Sequence, residues 1–292
     1  MWEIGILGGH SPLDLGYPNR NPALTAGDVT DVEAEFVADP FMIFKNHLWY
    51  LFFEVLRKDL QTGEIGLAVS GDLRDWEYQG IILRESFHLS YPYVFEWEGG
   101  NYMVPETLGA NEIRLYQSHD FPRDWRLLCS LIPGQHADPS LFRHQDRWWI
   151  FACDTPFEHR SLRLYSAPEL EGSWEEHPES PIVIDDSRIA RPAGRVAAFD
   201  GRLIRFAQDC SRQYGEQVWA FEIAHLSRGR YSERLASAKP VIGPGRKGQW
   251  RTQRMHHIDA HADSAGGWIA CVDGDTKMPR IQEAKNSRSR KR

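Results

Sequence analysis

Apolar and polar positions along the chain fall into short runs that recur in one order. A polar entry, usually ending in proline, opens an apolar run. A turn follows, and an aromatic-rich run closes the unit at an acidic residue or cysteine. Ala38-Asp39-Pro40 opens FMIFKNHLWYLFFE, ending at Glu54, and Ser90-Tyr91-Pro92 opens YVFEWEGGNYMVPE, ending at Glu106. Ala137-Asp138-Pro139 opens SLFRHQDRWWIFAC, ending at Cys153-Asp154, and Ala190-Arg191-Pro192 opens AGRVAAFDGRLIRFAQD, ending at Asp209. Ile258-Asp259-Ala260 opens a fifth run, ending at Asp273. Two β-rich runs around a turn such as Glu98-Gly99-Gly100 predict a β-hairpin.

A second hairpin follows most of these, its outer run opened by Trp76, Trp125, Trp174 or Tyr231. These four aromatics suit wedges between packed sheets. Four strands per unit and five units predict an all-β, five-bladed β-propeller over residues 1–276. The fifth unit stops after Asp273 without its second hairpin. Trp2-Glu3-Ile4-Gly5-Ile6-Leu7 has the pattern of the third strand Gly63-Glu64-Ile65-Gly66-Leu67, with a further strand expected near Pro22-Ala23-Leu24. The N-terminal strands are therefore expected to complete the last blade, which removes open sheet edges. The absence of long helical periodicity and of a GxGxxG turn argues against a two-domain α/β fold.

Charge refines this picture. The formal net charge is −7, yet Lys277–Arg292 holds seven Lys/Arg and one Glu, which leaves −13 on the body. So acidic a body argues against a nucleic-acid partner, and the basic end KNSRSRKR is expected to be a disordered tail. The four cysteines form no CxxC pair, so no metal-ligand set is expected from them. There is neither an apolar run long enough for a membrane span nor a leader-like start, and a cytoplasmic protein is the simplest expectation.

In a propeller blade the innermost strand runs along the axis and the second returns antiparallel to it. The start of the first and the end of the second then share one face of the ring. Asp39, Glu54, Glu106, Asp138, Asp154, Asp209, Asp259 and Asp273 are thus expected at one mouth, joined by Tyr91, Arg191 and His257. Like charges so close raise one another's pKa, as in acid–base sites. The competing reading is that these acids pair with Arg188, Arg191, Arg195 and Arg205, or cap turns.

The Asp-Pro openings on a five-fold repeat resemble the five-bladed propeller glycoside hydrolases of the arabinanase/xylosidase and invertase-like families. Phe87-His88-Leu89-Ser90-Tyr91-Pro92, Arg188-Ile189-Ala190-Arg191-Pro192-Ala193-Gly194-Arg195 and Met255-His256-His257-Ile258-Asp259 resemble a subgroup of this fold. That subgroup is the N-terminal propeller of glucosamine inositolphosphorylceramide transferases and its free-standing bacterial homologues. The resemblance implies Asp39 as general base and Asp138 as the neighbour that sets the acid's pKa. The family's acid, a Glu opening blade four, is absent here, where Arg191 stands; Glu106 is the replacement, with Glu54 a further candidate. Glu54, Tyr91, Arg191, Arg195, Asp209, His257 and Asp259 are expected to bind substrate. No cofactor is expected beyond an axial calcium or water near His257. Three functions fit: a glycosidase, a non-catalytic glycan-binding propeller, and a transferase part in glycan assembly. Arg191 with Arg195 adds the expectation of an anionic carbohydrate ligand.

Overall fold

The computed structural model describes residues 1–16, 21–246, 249–263 and 266–276; the basic tail lies outside them. Five sheets, each built around four antiparallel strands, form a five-bladed β-propeller, with no α-helix among the described residues. Blade one contains Ala34–Lys45, Leu48–Arg57, Gly63–Ser70 and Glu77–Leu83. Blade two contains Ser90–Trp97, Gly100–Glu106, Glu112–Asp120 and Arg123–Pro133. Blade three contains Ala137–His144, Arg147–Cys153, Leu162–Ala167 and the short Glu175–Glu176.

Blade four has a broken inner strand. Arg191–Pro192 and Ala197–Phe199 both pair with Arg202–Asp209, followed by Gln217–Leu226 and Tyr231–Leu235. The break lets Gly194 meet blade five, where Ile258 donates its N–H to Ala193 O at 2.8 Å.

Blade five takes strands from both chain regions, as the sequence pattern predicts. Ile258–Ala262 and Trp268–Asp275 are completed by Trp2–Ser11, which pairs with Trp268–Asp275 from Trp2↔Asp275 to Gly9↔Trp268. The outer edge differs from expectation. Asp14–Gly16 pairs with one end of Trp2–Ser11, and Leu24 bridges Ile4 at the other. Between them the Asn21 side chain bonds both backbone groups of Ile6, so a side chain substitutes for part of a strand.

The apolar cores lie between blades. One cluster joins Phe41, Tyr93, Leu115 and Ile150 of blades one to three, and another joins Leu7, Ile204, Val218 and Val272 of blades four and five. Two of the outer-strand aromatics, Trp125 and Tyr231, act as the wedges expected of them. Trp125 meets Phe52 edge-on at 5.7 Å, and Tyr231 meets Phe151 at 5.8 Å. Such packing holds each blade against the next, and the inner strands thereby surround one axis.

Candidate functional site

In the first three blades the inner strand carries the same strained device. Asp39, Tyr91 and Asp138 have φ of 50°, 49° and 50°, each directly before a proline. The left-handed region is disfavoured for such residues, at roughly 1–3 kcal/mol each. At each site the inner strand carries one extra residue against its partner, between Ala38 and Phe41, Ser90 and Tyr93, and Ala137 and Ser140. A bulge of this kind re-aims a side chain. Here it brings Asp39 and Asp138 together with Glu54, Glu106 and Asp273 from the ends of second strands. All five carboxylates are buried.

Arg191 of blade four ties two of them. Its Nε donates to Asp138 Oδ2 at 2.5 Å, and Nη2 reaches Asp138 Oδ1 and Glu106 Oε2 at 3.3 Å. Nη1 donates to Pro156 O at 2.9 Å and lies 3.2 Å from His159 Nδ1. The guanidinium sits beneath the Tyr214 ring at 5.1 Å. Asp138 also accepts from Gln208 Nε2 at 2.6 Å, and its N–H donates to Glu106 at 3.0 Å. Burial pushes Asp138 up to about 6, against the opposing pull of Arg191. Glu54 faces His88, whose Nε2 is 3.2 Å away.

Asp39 has no arginine partner among the described residues. Burial, and then the fields of Asp138, Glu54, Asp273 and Glu106, push its carboxyl well above the usual range. Its Oδ1 lies 3.4 Å from His256 Nε2 and 3.9 Å from His257 Nδ1. Asp273 organises this corner by accepting the backbone N–H groups of Asp39, His256 and His257. His257 is wholly buried between Phe41 and Tyr91, and neither of its ring nitrogens has a hydrogen-bond partner among the described residues. Burial drops its pKa to about 4. Tyr91 points its hydroxyl elsewhere, to Ser140 Oγ at 2.6 Å, and the Ser140 hydroxyl donates a hydrogen bond to Gly194 O at 2.8 Å.

Four expected members, Asp259, Arg195, Asp209 and Asp154, are held by other partners. Asp259 lies two residues from the level of Asp273 and is a structural anchor. It accepts the Met42 N–H at 2.8 Å, Arg195 Nε at 2.6 Å and a bond with His261 at 2.8 Å. Burial would raise its pKa, but Arg195 and His261 hold it well below the carboxylate range. Arg195 is committed to Asp259, to Val94 O and to the Tyr93 ring face. Asp209 bonds Ser211, Gln217 and Trp219, and lines a cavity of about 320 Å³ with Asp186, Arg188 and Phe221. The axis-facing residue of that strand is Gln208, one position earlier and so on the opposite face. Asp154, likewise, pairs with Arg163. Tyr214, His159 and Gln208 carry no motif signal, because each comes from a loop or from a strand position without a repeat counterpart, and His88 lies in the Phe87–Pro92 motif without a role assigned from it.

Around His257 the donors are carboxylates and imidazoles, unlike the six to eight oxygens that calcium takes.

Residues 1–275 match the family described as glucosamine inositolphosphorylceramide transferase 1, N-terminal. The chain belongs to this family. The glucosamine inositolphosphorylceramide transferase 1 of Oryza sativa subsp. japonica is 37% identical over 298 residues, covering 94% of this chain and 40% of the relative. That of Arabidopsis thaliana is 32% identical over 296 residues, covering 94% and 39%. The chain thus spans about two fifths of the length of these family members. Solved structures share the fold at low identity. A β-xylosidase/α-arabinofuranosidase from a compost microbial metagenome aligns with a TM-score of 0.56 at 13% identity, covering 75% of this chain and 78% of its own. A family 117 glycoside hydrolase of Zobellia galactanivorans aligns at 0.52 and 14%, covering 81% and 84%. This chain thus shares the propeller fold of these solved structures and carries an arginine, Arg191, at its blade-four opening.

Proposed function

We propose that the mouth of the propeller binds a carbohydrate and cleaves a glycosidic bond, with Asp39 and Glu106 as the two working carboxyl groups. The observation that carries this reading is the convergence of Asp39, Asp138, Glu54, Glu106 and Asp273 at one mouth on strained backbone, with Arg191 the one arginine among them in the described residues. Folding tolerates so uncompensated a cluster only at a stability cost, which a purely structural site has no reason to bear. Following the resemblance, Asp39 activates water, Glu106 protonates the leaving oxygen, and Asp138 sets the charge balance through Arg191. Hydrolysis needs only these two roles.

The test is a screen of aryl glycosides and oligosaccharides with product analysis. Asp39→Asn and Glu106→Gln should each lower turnover by about 10²–10⁴-fold. The variant that lost the proton donor should recover on substrates with acidic leaving groups. Full turnover in both variants, with Asp138→Asn also active, would reject the assignment.

A second reading has its own support. All the N–H groups of Arg191 face internal partners, and these include Glu106 and Asp138. A mouth locked in this way suits recognition of a carbohydrate or glycolipid headgroup without cleavage, beside a transferase active elsewhere. Saturable glycan binding with no turnover in any assay would favour it.

A further inference from the structure

The guanidinium of Arg191 has no N–H left for a ligand. A guanidinium carries five donors, and here each has an internal partner. Nε and Nη2 meet Asp138 and Glu106, and Nη1 meets Pro156 O and His159 Nδ1. The last of these contacts fixes a proton. An arginine only donates, so His159 Nδ1, 3.2 Å away, accepts, and the proton of the neutral ring sits on Nε2. Burial and the Arg191 charge lower the pKa of this ring to about 4, against the weaker pull of Asp138 and Glu158. The backbone sets its direction. His159 has φ 58°, and its turn is closed by its own N–H on Thr155 O at 2.7 Å. Arg160 and Ser161 add N–H bonds to Thr155 Oγ1 at 2.9 Å. Strain of this kind persists where the surroundings hold it, and it gathers at ligand sites. Tyr214 is held over Arg191 at 5.1 Å, beside His159 at 5.3 Å and edge-on to His256 at 5.2 Å. Neither His159 Nε2 nor the Tyr214 hydroxyl has a hydrogen-bond partner among the described residues, and both residues are half-buried, not sealed from solvent.

We infer that the mouth reads the hydroxyl oxygens of an uncharged sugar through His159 Nε2–H and the Tyr214 hydroxyl, with Arg191 standing behind them to fix the histidine's proton. The inference rests on the mouth being the carbohydrate site, whether it cleaves or only binds. A neutral N–H beside an O–H offers one donor and one donor-acceptor, a few placed polar groups of the kind that orient a ligand. An anion fits less well. Arg191 is spent, and Arg195 is bonded to Asp259 and Val94 O. The carboxylates gathered around Asp39 repel an incoming carboxylate or phosphate. The blade-four arginine thereby gains a use beyond balancing charge. The hydrogen bond at one imidazole nitrogen decides what the other can do, so Arg191 acts on the ligand through His159.

The test uses the full chain, ¹⁵N-labelled in histidine, with neutral methyl glycosides and oligosaccharides and the matching uronic acids as probes. Long-range ¹H–¹⁵N spectra of the free protein should show His159 with its proton on Nε2, still neutral at pH 5, where an ordinary histidine of pKa about 6.5 is charged. Binding is then read by titration. Tyr214→Phe, which removes one oxygen, should weaken the neutral probe about three- to tenfold, the worth of one hydrogen bond. His159→Phe should do the same. His159→Gln, which keeps an acceptor for Arg191 and a donor for the ligand, should restore most of that loss. If His159→Phe does not fold, Tyr214→Phe and the spectra decide. A charged His159 at pH 5, a proton on Nδ1, or a uronic acid bound more tightly than its neutral counterpart would overturn the inference. So would a parent that binds a neutral probe no better than Tyr214→Phe does. A parent that binds no saccharide at all would sink the carbohydrate reading of the mouth, and this inference with it.

Discussion

Arg191 occupies the position that is Asp39 in blade one and Asp138 in blade three, and this single exchange changes the electrostatics of the mouth. A buried guanidinium shared by Asp138 and Glu106 turns two mutually repelling acids into one hydrogen-bonded unit. Losing the cation would leave both acids buried and unpaired. Arg191→Met is therefore expected to destabilise the fold by about 3–5 kcal/mol, read from urea unfolding. Adding Asp138→Asn to it should recover part of that loss, a coupling that a double-mutant cycle measures. The expectation of an anionic ligand makes a different demand. If Arg191→Met unfolds like the parent and weakens only anionic glycans relative to neutral ones, the arginine serves the ligand instead of the fold.

At the level of strands, the junction of blades four and five hangs on Gly194. Its φ is +129°, and a Cβ placed there would lie 1.8 Å from Ile258 O. Gly194→Ala should cost more than about 1 kcal/mol and push the start of Ile258–Ala262 away from the axis. Gly201→Ala is the control, since its φ is also positive but no atom lies within 4 Å of the added carbon. A melting temperature no lower for Gly194→Ala than for Gly201→Ala would show that the contact is not needed. The same junction shows where the sequence is readable and where it is not. Hairpins and wedges are local, so turns and alternating runs such as those around Glu98-Gly99-Gly100 or at Trp125 reveal them. Asp39 and Asp138 are legible because Asp-Pro repeats at a fixed distance from the end of the second strand. Asp259 looks equivalent, but blade five has no bulge there; its register runs unbroken from Ile258↔Val272 to Ala262↔Trp268. The side chain consequently lands beside Met42 and Arg195. Nor does any pattern along the chain announce that Asp273 receives the backbone of Asp39, 234 positions away. That contact exists only once the ring closes.

Ring closure is the property of the whole molecule on which the site depends. The ladder between Trp2–Ser11 and Trp268–Asp275 buries Trp2, Ile4, Ile6 and Leu7. At about 1.5–3 kcal/mol for each large apolar side chain, this strand alone contributes on the scale of the roughly 5–15 kcal/mol that stabilises a typical domain. Deleting residues 1–8 should therefore leave an unpaired edge on Trp268–Asp275 and free the ring of His256 from Trp2. The truncated chain is expected to aggregate on size-exclusion chromatography or to melt far below the parent. Loss of sequence and loss of closure can be separated by a rearrangement. The Met1 amine already bonds Asp275 and Thr276 O, so residues 1–16 can be moved behind Thr276 through a short glycine turn. The strand then returns to the same slot in the same sheet as a hairpin, without the long-range pairing. That permuted chain should melt close to the parent. A deletion variant as stable as the parent would show that the N-terminal strand is dispensable, and a permuted chain that fails to fold would show that its position in the chain matters beyond the edge it covers.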